Sequence, residues 1–125
     1  MTSARVMIVE DEAITAMATG AMLKRMGHKV TASVGSGAAA LEAFRRFPPD
    51  LVLMDIRLDG DMDGIETARA IRADSDVPVV FVTAYVDAQT RRRAAETSPF
   101  GFVPKPLDEY ELDALFSRLR AVLPS

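Results

Sequence analysis

Val6-Met7-Ile8-Val9 runs into Glu10-Asp11, Leu51-Val52-Leu53-Met54 into Asp55, Val79-Val80-Phe81-Val82 into Thr83, and Phe102-Val103-Pro104 into Lys105. Each short apolar run is a candidate buried strand, and each stops on a polar group. If the runs are parallel strands of one sheet, the polar groups converge at its carboxyl edge, where open α/β sheets bind ligands. Strand-like runs alternate five times with helix-like stretches, the pattern of a βαβ series around a parallel sheet.

The helices between the strands have their own signals. Ile14, Met17, Ala18, Ala21 and Met22 fall on one face of the first, which Gly27 stops. The second begins near Ser36, buries Ala40, Leu41 and Phe44, and ends before Pro48-Pro49. The third opens at Asp63-Gly64 and carries Ile65, Ala68 and Ile71 inward. The fourth, roughly Asp87 to Thr97, offers only Ala88, Ala94 and Ala95 for burial, so tertiary packing holds it least and it is expected to be mobile. The fifth carries Leu112, Leu115, Phe116 and Leu119 at core spacing, with Asp108 and Glu111 placed for a capping box.

The 125 residues suit one domain over residues 1–125. With 49% apolar residues a full core is available. The absence of cysteine excludes disulfides, thiolate catalysis and cysteine-type zinc sites. A net charge of −3 gives no overall attraction to nucleic acid or anionic membrane, so neither is expected as a direct partner. The apolar runs are too short to span a bilayer and the first residues do not form a signal-peptide core, so a cytoplasmic location is expected.

The carboxylates define the chemistry. Three of them within about 4 Å would repel by roughly 4 kcal/mol per pair at an effective dielectric near 20, so a cation belongs among them. Hard oxygen ligands at a hydrated edge suit Mg²⁺, with Mn²⁺ able to substitute. Such an ion would polarise a phosphoryl group, Lys105 would neutralise another of its oxygens, and Asp55 becomes the natural acceptor. The alternation of Asp59, Asp61 and Asp63 is similar to a calcium loop, but no bidentate Glu follows at the required spacing. His28 reads as a surface or strand-entry residue, the seven methionines as core filler, and Arg91-Arg92-Arg93 as a solvated face.

Val9-Glu10-Asp11-Glu12, Met54-Asp55-Ile56-Arg57, Asp63-Gly64, Val82-Thr83-Ala84 and Val103-Pro104-Lys105-Pro106 together resemble the receiver domain of two-component response regulators, of the CheY-like superfamily, along essentially the whole chain. The resemblance implies a single-domain (βα)5 flavodoxin-like fold, a doubly wound parallel sheet of strand order 2-1-3-4-5. It implies phosphorylation of Asp55 by a sensor histidine kinase or phosphotransfer protein in a Mg²⁺-dependent reaction. By position, Asp11, Asp55 and the Arg57 carbonyl would ligate the metal and Glu10 would do so through water. Lys105 would hold phosphoryl oxygens, and Thr83 with Phe102 would form a switch pair. Output would pass through the face of the fourth helix, fifth strand and fifth helix, to another protein or to a second copy. Lys105-Pro106 would be cis. Arg57 and Tyr85 are placed to overhang the acyl phosphate and slow its hydrolysis.

Four departures from the common pattern stand out. Glu10 replaces a frequent Asp, Phe102 replaces a frequent Tyr, Pro104 removes a donor from the last strand, and the stretch from Arg57 to Gly64 lacks Met-Pro and is one residue longer than usual. The implied protein is a switch, not an enzyme beyond its own phosphorylation and autodephosphorylation. Alternatives within the class are a phosphorelay shuttle or a receiver piece of a larger regulator or hybrid kinase. An aspartyl-phosphate hydrolase would want a second acid where Arg57 stands, and a docking-only degenerate receiver would not retain Asp11, Asp55, Thr83 and Lys105.

Overall fold

The computed structural model describes residues 3–84 and 86–122. Five parallel strands, β1 (Arg5–Val9), β2 (Lys29–Val34), β3 (Leu51–Asp55), β4 (Val79–Thr83) and β5 (Gly101–Pro104), form one sheet of order β2-β1-β3-β4-β5. Between and after them run α1 (Ala13–Arg25), α2 (Gly37–Arg46), α3 (Gly64–Asp74), α4 (Ala88–Ala95) and α5 (Glu109–Val122). The fold is the doubly wound (βα)5 arrangement that the resemblance implies, built on the βαβ series read from the alternating runs.

Successive strand residues point to opposite faces, so each apolar run builds two cores at once. Val6, Ile8, Leu51, Leu53, Val80 and Val82 pack with Leu23 of α1 and Leu112, Leu115, Phe116 and Leu119 of α5. Met7, Val9, Val52, Met54 and Phe81 pack on the other side with Ala40 of α2, Ile65, Ala68 and Ile71 of α3, and Ala94 of α4. Met7 and Met54 are fully buried, as core filler should be, whereas Met17 is exposed.

The helix ends follow their caps. Ser36 accepts from the Ala39 amide at the start of α2, and Asp87 from the Thr90 amide at the start of α4. A reciprocal capping box opens α3, with Asp63 accepting from the Glu66 amide at 2.8 Å and Glu66 accepting from the Asp63 amide at 3.0 Å. At α5 the Asp108 carboxylate accepts from Tyr110, two residues on, instead of from residue 111. Gly27, at φ +93°, takes the left-handed conformation that lets the chain leave α1.

α1 buries a different face from the one its periodicity suggests. Ala16, Thr19 and Leu23 point inward, while Ile14 and Met17 are 84% and 74% exposed and Ala18 and Ala21 also face outward. Apolar residues surround most of this helix, so spacing alone could not select the buried stripe; Leu23 and the half-buried Met22 and Met26 reach the sheet. In α4 only Ala94 is buried, and Ala88 and Ala95 are exposed. His28 is the strand-entry residue, directly before β2, and not a surface one: it is 6% exposed, stacked on Phe116 with ring centroids 3.9 Å apart, and its Nδ1 accepts from the Ala4 amide at 3.0 Å.

Candidate functional site at the carboxyl edge

Strand register fixes the height of each polar group. Val9 lies opposite Met54 in the β1–β3 pair, so Glu10 and Asp55, each the next residue, come level at the carboxyl edge. Asp55 lies opposite Val82, which puts Thr83 one step farther along β4, and Thr83 lies opposite Pro104, which delivers Lys105 just beyond β5. Pro104 has no amide hydrogen, and the ladder continues past it, the Lys105 amide donating to the Thr83 carbonyl at 2.8 Å. The Lys105–Pro106 bond is cis.

Ligand oxygens of Glu10, Asp11 and Asp55 lie within 4.8 Å of one another. Lys105 bridges two of these acids: its ammonium donates to Glu10 Oε1 at 2.7 Å and to Asp55 Oδ2 at 3.0 Å. The other oxygens are used as well. Glu10 Oε2 accepts from the Glu12 amide at 3.1 Å, and Asp55 Oδ1 accepts from the Arg57 amide at 3.2 Å. Glu10 and Asp55 are buried, Asp11 is half-buried at the rim, and no buried polar side-chain atom among the described residues lacks a partner. Burial works against the Lys105 ammonium, but the hydrogen bonds and charges of Glu10 and Asp55 outweigh it and hold the amine above the ordinary lysine value. Lys105 thus partly fills the need for positive charge, and three carboxylates against one ammonium leave the cluster with a net demand for more. Hard oxygens, with no cysteine in the chain and the one histidine packed away against α5, fit a hard divalent cation.

The loop leaving Asp55 is closed tightly. The Gly64 amide donates to the Ile56 carbonyl at 2.7 Å, and a Cβ on Gly64 would collide with the Asp55 carbonyl oxygen. Midway, Asp59 pairs with Ser36 in an isolated parallel bridge, and a Cβ on Gly37 would strike the Thr67 hydroxyl and Met62. The longer stretch from Arg57 to Gly64 therefore docks against the start of α2. Asp63, one of the three alternating acids, is spent on the α3 cap and on Arg93 at 3.4 Å.

On the β4–β5 side, Thr83 is buried and its hydroxyl donates to the Ala84 carbonyl at 2.7 Å. Phe102 is half-buried, 5.7 Å from the Phe81 ring. The Arg91 guanidinium lies 4.5 Å from the Phe102 ring centroid. The arginine run is therefore only partly a solvated face: Arg92 is exposed, while Arg91 covers an aromatic ring and Arg93 pairs with Asp63. Glu10, Asp11, Asp55, Thr83 and Lys105 come together as the strand ends imply, with Arg57 exposed at the rim; Tyr85 lies outside the described residues. The roles of Gly64 and Arg91 were missed. A glycine after Asp63 signals a helix start but not its approach to Asp55, and nothing local marks which arginine meets a ring.

Fold and site together are those of a signalling receiver, a doubly wound module with an acidic, lysine-bridged carboxyl edge. The chain belongs to the response regulator receiver domain family, whose sequence profile matches residues 6–117. It is 40% identical over 119 residues to the DNA-binding response regulator MtrA of Mycolicibacterium paratuberculosis, covering 95% of this chain and 51% of that protein. To the transcriptional regulatory protein CseB of Streptomyces coelicolor it is 38% identical over 118 residues, covering 94% and 48%. Among solved structures, the signal receiver domain of a modulated diguanylate cyclase from Desulfovibrio desulfuricans G20 matches with a TM-score of 0.88 and 32% identity, over 93% of this chain and 92% of that one. The chain spans about half the length of the two regulators. No helix among the described residues is long and apolar enough to cross a membrane.

Proposed function

We propose that this chain is, over residues 1–125, a single receiver domain that accepts one phosphoryl group on Asp55 from a histidine kinase or phosphotransfer protein. The observation that carries the reading is the Lys105 ammonium between Glu10 and Asp55 with Asp11 beside them, a buried acceptor in an acidic cluster that still lacks positive charge. Asp11, Asp55 and the Arg57 carbonyl would hold Mg²⁺, or Mn²⁺ in its place, with Glu10 acting through water. When bound, that ion supplies charge neutralisation and Lewis acidity toward phosphoryl oxygens.

In the transfer, an Asp55 carboxylate oxygen forms a bond to phosphorus as the bond from phosphorus to the donor nitrogen breaks, and the donor leaves with the electron pair. Lys105 shifts toward the incoming phosphoryl oxygens and offsets their negative charge. Hydrolysis of the acyl phosphate by water resets the domain. Both steps are self-catalysed within the chain, with Arg57 at the rim restricting the water.

The new phosphate brings a charge of roughly −1.5 to −2 and strong acceptor oxygens. The Thr83 hydroxyl would leave the Ala84 carbonyl to donate to one of them, and Phe102 would follow into the space released. The face formed by α4, β5 and α5 would thereby change its affinity for an output protein or a second copy. A cytoplasmic location accords with this role. The half-length match to two regulators with DNA-binding or transcriptional names favours, as a second reading, a receiver that works as part of a larger regulator; contact with nucleic acid would then lie outside this domain.

Intact-mass analysis after incubation with phosphoramidate tests the acceptor. One phosphate adduct per chain is expected with Mg²⁺, none in chelator, and none in Asp55→Ala. An undiminished adduct in Asp55→Ala refutes the assignment.

A further inference from the structure

α4 has an unusual hold on the rest of the molecule. Ala94 is its single buried residue, so little apolar area fixes it. Its polar ties to other elements are Arg93 with Asp63 at 3.4 Å and, at its C-cap, Glu96 with Arg69 at 4.0 Å, ion pairs partly or largely exposed. Exposed ion pairs of this kind contribute little. Arg91 differs because its guanidinium lies 4.5 Å from the centroid of Phe102, a ring that also neighbours the fully buried Phe81, 5.7 Å away. Phe102 thus packs against the core and also contacts a cation carried by the least anchored helix.

Thr83 stands on the same face of β4 as Phe81, one pleat nearer the carboxyl edge, and its hydroxyl is turned to Ala84. A phenyl ring has no hydroxyl to hold it at the surface, so the cation above it is the polar contact available to favour the half-buried position.

We propose that Arg91 is a positioning residue for the switch, a clamp that holds Phe102 against Phe81 and away from Thr83, and that release of this clamp couples the acceptor site to α4. The inference rests on the reading of Thr83 and Phe102 as the switch pair. Movement of the ring toward Thr83 takes it off the guanidinium, so the contact favours the resting arrangement. By reciprocity, whatever favours the resting arrangement weakens binding of a phosphoryl mimic at Asp55. Once Phe102 moves, α4 loses the Arg91 contact with β5 and is freer to shift.

The test is titration of Mg²⁺ and beryllofluoride into the wild type and into Arg91→Ala, Arg91→Lys, Phe102→Leu and Arg91→Ala/Phe102→Leu, followed by amide shifts and the Phe102 ring resonances. Arg91 is exposed, so its replacement leaves the core intact. Loss of a cation–π contact of this exposure should tighten beryllofluoride binding about two- to fivefold in Arg91→Ala, with Arg91→Lys in between. The free Arg91→Ala protein should already show Phe102 ring shifts displaced toward the bound position. In the Phe102→Leu background the Arg91→Ala effect should vanish, since there is no ring to release. Unchanged or weaker binding in Arg91→Ala, or the same tightening with Leu at 102, overturns the clamp while leaving the proposed function standing. Failure of the wild type to bind beryllofluoride at all overturns the proposed function and the clamp with it.

Discussion

Lys105→Met removes the cation from between two buried carboxylates while keeping most of the side-chain volume. The ammonium lies 2.7 Å from Glu10 and 3.0 Å from Asp55. At an effective dielectric near 20, these separations correspond to gross attractions of about 6 and about 5.5 kcal/mol. Desolvation of the three groups offsets most of that. What the variant reveals is the cost of leaving the acids unpaired, about 3–5 kcal/mol for a buried pair. The Lys105 side chain is 19% exposed and Asp11 opens to solvent, so the lower end, about 3 kcal/mol, applies. For a domain of this size, that is a fall in melting temperature of roughly 10–15 °C. Thermal unfolding followed by circular dichroism in chelator should show this drop. Excess Mg²⁺ should recover much of it, because a dication placed among the acids replaces the missing charge and binds only the folded cluster. A variant that melts within about 2 °C of the wild type in chelator would mean that the ion pairs contribute no more than solvated surface contacts, and the account of the site's electrostatics would fail.

Gly64→Ala should cost about 2–4 kcal/mol, combining overpacking against the Asp55 carbonyl with loss of the bond from the Gly64 amide to Ile56, and should slow Asp55 phosphorylation more than Gly20→Ala in α1 does, because a Cβ at Gly20 meets only the Ile8 side chain at 3.8 Å. Denaturant midpoints and phosphoramidate kinetics on the two variants check this; equal kinetics would show that the loop does not position Asp55. Burial pushes the His28 imidazole below its ordinary value of 6.5, with Arg120 acting in the same direction and Asp113 opposing. A proton on Nδ1 would also displace the bond from Ala4. The unfolded chain therefore binds a proton below about pH 6.5 that the folded chain resists, so stability should fall as pH drops from 6.5 toward the folded value. The fall should be shallower in His28→Gln, and identical pH slopes for the two proteins would remove His28 as its source.

The parts of the structure legible in the sequence are those whose partners are fixed by backbone geometry. In α3, Ile65, Ala68 and Ile71 recur against polar neighbours, so the buried stripe is readable, and all three are buried. In α1, Ile14 and Met17 are as apolar as Leu23, and only the position of the helix on the sheet decides which of them is covered. The same distinction divides the site. Glu10, Asp55, Thr83 and Lys105 each follow an apolar run, and parallel register then brings the strand ends together whatever the rest of the chain does. Which atom each side chain meets is decided across elements: His28 stacked on Phe116, Arg91 over Phe102. No local pattern encodes those pairings, because a guanidinium on α4 is equally at home in solvent until β5 places a ring beneath it. On the proposed reading, the acceptor chemistry would belong to the sheet edge, whereas the response to it would be set by contacts such as Arg91 with Phe102. One substitution on α4 can then retune the switch while every residue of the acceptor site stays the same.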